Sequence, residues 1–140
     1  MLKIFLNENE FELLKSCLYK NINRIEYSIE NDINCDSSLT QLKDRLVNLL
    51  SFIDNKSINI PGHSVLVDSD SLLDIVDSIF NRVEELNSLI ISNRTMQYPT
   101  DQYEASKYDC MDLYKKLMEA RLNGFQETFL KEYSVDKIYK

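Results

Sequence analysis

The residues able to do chemistry are few and scattered. His63 is the only histidine among 140 residues. It sits in the stretch INIPGHSVLVDSDSLL, residues 58–73, with Pro61, Gly62 and Ser64. A histidine beside a serine offers a base next to a hydroxyl. Nucleophilic catalysis needs that base bonded to the nucleophile and oriented by a third group, and adjacency in the chain supplies neither. Pro61-Gly62 suits the central positions of a type II turn, so His63 is expected to leave an exposed turn. One histidine cannot build a His-rich metal site within one chain. Cys17, Cys35 and Cys110 are far apart and form no CxxC pair, so no zinc site or redox motif is indicated. An odd count of dispersed cysteines fits reduced thiols in a reducing compartment.

Two short stretches resemble known motifs. VLVDSDSLLD, residues 65–74, resembles the nucleophile motif of haloacid-dehalogenase-type phosphatases. That resemblance implies Asp68 and Asp70 as nucleophile and acid/base, with Mg²⁺ held by both. The family's glycine-turned parallel sheet is not expected here, and no later acidic pair follows a second strand. The other reading is that Asp68, Ser69, Asp70 and Ser71 compete to cap a helix, Ser71 and Asp74 having capping-box spacing. DINCDSSLTQLK, residues 32–43, resembles an EF-hand loop, with Asp32, Asn34 and Asp36 at ligand positions and Leu39 at the apolar one. Ser37 stands where that loop has glycine, and Lys43 where it has its bidentate glutamate. The expectation is an Asx/Ser-rich turn. No catalytic residue, metal site or cofactor is therefore expected.

What is left is surface. Asp70, Asp74, Asp77 and Glu84 lie at helical spacing opposite Val76, Ile79 and Val83, an acidic stripe fit for a basic partner. Six of the eight tyrosines fall between Tyr98 and Tyr139. Tyr103, Tyr108 and Tyr114 are the candidates for contact, because tyrosine is amphipathic and favoured at interface hot spots.

The elements that would carry these residues are helices. Phe11, Leu14, Leu18, Ile22, Ile25 and Ile29 step by three and four, along one helical face. Asn7 and Glu10 have capping-box spacing, and Leu6 and Phe11 the staple positions. Leu39, Leu42, Leu46, Leu49 and Ile53 make a second face, and Leu72, Val76, Ile79, Val83, Leu86 and Ile90 a third. Met111, Tyr114, Met118, Leu122 and Phe125 are assigned to a fourth, ending at Asn123-Gly124, with glycine as a left-handed cap before a short last helix. Leu2–Leu6 and Val65–Val67 are β-like runs that could pair. NRIE (23–26) and NRVE (81–84) echo one another over too few residues to make a repeat.

The expected fold is mainly all-α: an antiparallel bundle of four to five helices with a minimal two-stranded β element from residues 2–6 and 64–68. One domain is expected, with helical hairpins at 8–54 and 70–123, a connector at 55–69 and a C-terminal helix or tail at 125–140. The net charge of −7 disfavours direct nucleic-acid or anionic-membrane binding. The N-terminus lacks the apolar core of a signal peptide and no run approaches a membrane span, which points to the cytoplasm. Abundant Asn, Ile, Ser and Tyr, with AT-rich codons, suggest a low-GC bacterium, its phages or its plasmids. The functional expectation is a small acidic, non-enzymatic protein–protein interaction module, such as an inhibitor, immunity or anti-defence protein. It would act as a monomer covering a basic partner surface. Alternatives are a homodimeric structural or regulatory protein and, further off, a small hydrolase using His63 or Asp68 and Asp70.

Overall fold

A computed structural model describes residues 2–31, 37–56 and 63–132, with side chains for 2–31, 37–53 and 65–124. The order is β1 (Leu2–Leu6), α1 (Glu8–Asn31), α2 (Ser37–Lys56), β2 (His63–Val67), α3 (Ser69–Thr95) and α4 (Asp101–Glu132). The four helices pack together beside a two-stranded antiparallel ribbon, so the fold is mainly α with a minimal β element. The EF-hand-like stretch lies partly outside the described residues.

α1 starts as its sequence requires. Asn7 Oδ1 accepts from the Glu10 amide at 2.7 Å, and the Asn7 amide donates to Glu10 Oε1 at 3.0 Å. Two amides that the first turn leaves orphaned are thereby satisfied. Leu6 and Phe11 close the staple, both buried. α3 is capped by Asp68, whose carboxylate accepts from the Ser71 amide at 2.7 Å. Ser71 is thus the third helical residue and not the cap. At its other end Gln97 takes φ 60°. Its amide donates to Arg94 O, and that of Tyr98 to Asn93 O. This is a Schellman ending with glutamine where glycine is usual.

The element order is β-α-α twice over. The strands pair as Leu2 with Val67, Ile4 with Val65 and Leu6 with His63. That register is symmetric about the Ile4–Val65 pair, as a two-fold axis between the strands requires. An offset of 61 carries Leu6 to Val67, the cap Asn7 to the cap Asp68, and buried Phe11, Leu14, Leu18 and Ile25 to buried Leu72, Ile75, Ile79 and Leu86. α3 then runs three residues further than the equivalent point of α1. An offset of 64 accordingly carries buried Leu46, Leu49 and Ile53 of α2 to buried Cys110, Leu113 and Leu117 of α4. The two halves bury matching positions into one core, each large aliphatic side chain contributing roughly 1.5–3 kcal/mol.

α4 departs from its expected face and end. Its buried seam is Cys110, Leu113 and Leu117, while Met111 and Leu122 are exposed and Tyr114 and Met118 half-buried. Apolar residues lie all round this helix, so their spacing selects no unique face. α4 also runs unbroken through Asn123-Gly124 to Glu132. Gly124 serves a close approach and not a cap: a Cβ there would run into the Cδ atoms of Leu2. A side chain at 124 would have to displace the Leu2 side chain, which now lies against the bare backbone there.

Candidate interaction surface

The ribbon alternates. Ile4, Leu6, Val65 and Val67 face the core, leaving Lys3, Phe5 and Leu66 on the outer face. Phe5 is 64% exposed and Leu66 38%. Lys3 Nζ lies 5.2 Å from the Phe5 ring centroid. Beside Leu66 opens a cleft of about 540 Å³, walled by Arg45, Asn48, Leu49 and Phe52 of α2, by Leu66 and Val67 of β2, and by the first turns of α3. Phe52 is 39% exposed. Leu66 and Phe52 line the cleft, and Phe5 shares the outer face of the ribbon with Leu66.

The cleft's polar wall carries Asp68, Asp70 and Asp74 against one guanidinium. Arg45 Nε and Nη2 donate to the two Asp74 carboxylate oxygens, each at 3.2 Å. Those bonds favour the charged guanidinium and push its pKa further up. Asp68 is held below the usual carboxylate range by the Ser71 amide it accepts from. Asp70 is exposed and lies within electrostatic reach of Arg45, whose charged form it also favours. Cleft and α3 N-terminus together thus hold an excess of negative charge.

The same place in the first half is closed. Lys116 of α4 stands where Phe52 stands in α2, and Glu10 of α1 where Ser71 stands in α3. Lys116 Nζ donates to Glu10 Oε1 at 2.8 Å. Burial raises the Glu10 carboxyl, but the Asn7 amide and Lys116 outweigh it and hold it below its ordinary range. Phe52 and Ser71 cannot form such an ion pair.

The residues expected to meet a partner are spread over several places. Asp70 and Asp74 are in the cleft, but Asp74 is tied to Arg45 and is not free for a partner. Asp77 faces Arg121 of α4; burial raises its carboxyl first, Asp74 adds to this, and Arg121 opposes them. Glu84 lines a polar groove of about 620 Å³ between α1 and α3 with Lys20, Arg24 and Asn81. Tyr108 is 65% exposed beside a small recess between α3 and α4. Tyr103 and Tyr114 are half-buried against the core, the Tyr114 ring lying 6.4 Å from that of Phe80. The acidic stripe is therefore no single free face, because α1, α2 and α4 each supply a cation to it. The candidate catalytic pair Asp68 and Asp70 does stay together, on the wall of the cleft. Asp68 is a helix cap at the end of an antiparallel strand, without the parallel sheet of the phosphatase family. His63 pairs through its backbone with Leu6, and its side chain lies outside those described.

Two polar features escaped the sequence reading. Cys17 of α1 and Cys110 of α4 bring their sulfurs to 4.0 Å, both buried. The Cys17 thiol is pushed up by its hydrogen bond to Cys110, then by burial; that bond and Arg82 draw Cys110 down against burial. At the position related by the offset of 61, Ser78 of α3 accepts from Asn21 Nδ2 of α1 at 2.9 Å, and Arg24 donates to Asn21 Oδ1. Both contacts span residues distant in sequence, and no local spacing marks them. Among the described residues no three of His, Cys, Asp or Glu converge as metal ligands would, and no helix is long and apolar enough to cross a membrane. No protein-family model matches this chain, and neither a curated protein nor a solved structure matches it.

Proposed function

We propose that this chain is a small cytoplasmic protein–protein interaction module without catalytic activity, which acts by occupying a basic surface of another protein. The observation that carries the reading is the half-exposed Phe52 and Leu66 beside Asp68 and Asp70, with exposed Phe5 on the ribbon face that also carries Leu66. Grouped aromatic and aliphatic side chains with a charged rim are the anatomy of a binding patch. The net charge of −7 adds long-range attraction for a cationic partner. An inhibitor, immunity or anti-defence protein of a low-GC bacterium or its phage works by such occupancy, and its output needs no chemistry.

The test begins with sedimentation of the purified chain, which separates a monomeric binder from a homodimer. The chain is then immobilised and exposed to lysate of a low-GC bacterium, in parallel with a Phe52→Asp, Leu66→Asp variant. The reading expects a basic protein held by the native chain, lost from the variant, and released at about 0.5 M salt. A partner retained equally by both chains removes the cleft from the account. A turnover abolished by His63→Ala overturns the reading altogether.

A further inference from the structure

We infer that Cys17 of α1 and Cys110 of α4 form a reversible disulfide when a hydroperoxide oxidises the chain, tying the first helix to the last. This stands apart from the proposed function and needs no partner. The two sulfurs lie 4.0 Å apart in the core, on residues 93 apart in the chain. A disulfide holds its sulfurs at about 2.05 Å, so the bond asks for an approach of about 2 Å, within reach of two rotating side chains. Packing alone does not ask for cysteine at either place. The repeat carries Cys17 to Ser78 and Cys110 to Leu46, both also buried, and a serine and a leucine cannot be joined. Only the pair between α1 and α4 can be oxidised to a cross-link.

The surroundings give the two thiols different tasks. The hydrogen bond from Cys17 favours the Cys110 thiolate, and Arg82 and Lys20 add to this against burial and Asp109. The same bond holds the proton on Cys17, and burial does so too. Cys110 is therefore the attacking sulfur. Its thiolate attacks one peroxide oxygen: the S–O bond forms, the O–O bond breaks, and the departing hydroxide takes the Cys110 proton as water. The Cys17 sulfur then attacks the resulting sulfenic acid. The S–S bond forms, the S–O bond breaks, and the leaving hydroxide carries off the Cys17 proton as a second water. Two thiols and one hydrogen peroxide give one disulfide and two waters, with two electrons passed from sulfur to oxygen. Both residues are only 1% exposed, so the oxidant enters when α4 parts locally from α1. The bridge then forbids that parting, and by closing a long loop it also restricts the unfolded chain.

The full chain is treated with hydrogen peroxide, denatured, and its thiols counted and mapped by mass spectrometry. The inference expects a peptide joining Cys17 to Cys110, lighter by two hydrogens and split again by dithiothreitol. A Cys35→Ser chain should form the same bridge and retain no free thiol. Its oxidised form should unfold at a higher urea midpoint than its reduced form. Cys17→Ser and Cys110→Ser should each abolish the bridge, with Cys17→Ala as the substitute if Cys17→Ser loses its helical circular dichroism. A linkage through Cys35, a sulfinic acid at Cys110 without a bridge, or both core thiols intact once Cys35 is oxidised would overturn the inference. An oxidised chain with an unchanged or lower midpoint would overturn it too, because the bond would then not tie the helices in their native places.

Discussion

The two β-α-α halves bury equivalent residues and finish differently. In the first, α4 crosses to β1, Lys116 clasps Glu10, and Gly124 lets Leu2 lie against the helix. In the second, α2 has 20 residues to α4's 32, and Phe52 and Ser71 leave a cleft with an acidic rim. A repeated unit that is closed once and open once shows where stability and surface have parted. The shared positions, such as Leu14 and Ile75, set the core. The unshared ones, such as Lys116 against Phe52, decide which half is bridged by an ion pair and which carries the cleft.

The comparison can be broken at its strongest point first. Leu14 and Ile75 are equivalent under the offset and essentially fully buried, at 0% and 1%. Leu14→Ala and Ile75→Ala should each cost about 2–5 kcal/mol and fall within about 1 kcal/mol of one another in urea unfolding. A difference much larger than that would mean that the halves do not share one core equally. Next comes Gly124→Leu, where overpacking against Leu2 should cost about 1–3 kcal/mol and the removal of a glycine from within α4 should return about 1 kcal/mol, leaving a net loss of about 0–2 kcal/mol. Combining it with Leu2→Ala should recover part of the loss in a double-mutant cycle, and simple additivity would deny that the two residues touch.

A smaller effect sharpens the contrast in electrostatics. The folded Glu10 carboxyl lies below its ordinary value of 4.5. Its ionised form is thus preferred by the native state, so its stabilisation is present above that value and lost as pH falls through the lower folded one. The urea midpoint should therefore drop below about pH 4, and Lys116→Met should shrink that part of the drop. An unchanged acid limb would mean that the clasp contributes nothing. Smallest is Gln97→Gly, which relieves a side chain held at φ 60° and should raise stability by about 0.5–1 kcal/mol. A loss there would show that the Gln97 side chain makes contacts that outweigh its backbone strain.

Much of the scaffold was legible, for reasons that can be named. The Asn7–Glu10 box and the Phe11-to-Ile25 stripe are local signals, read by the same backbone chemistry that folds α1. The ribbon was legible as two short β-like runs, Leu2–Leu6 and Val65–Val67. The repeat was not, because its halves share properties and not identities: Asn7 answers to Asp68, Phe11 to Leu72 and Cys17 to Ser78. The visible echo, Asn23-Arg24 with Asn81-Arg82, is displaced by 58 and not 61, nearly one helical turn out of step. α4 misled because its apolar residues encircle it, and glycine at 124 read as a stop when it marks a close approach. The candidate surface was half legible. Asp70 was found by its spacing, but nothing in the sequence set Phe52 or Leu66 apart from their apolar neighbours, because their exposure depends on how α2 and β2 are placed.

The central claim is that the open half, and not the clasped one, meets the partner. Hydrogen exchange on the complex with a captured partner tests it most directly. Amides in 46–53 and 66–74 should gain protection, while their counterparts in 110–117 and 5–13 exchange as in the free chain. Protection of the counterparts alone, with 46–53 and 66–74 unchanged, would contradict the account.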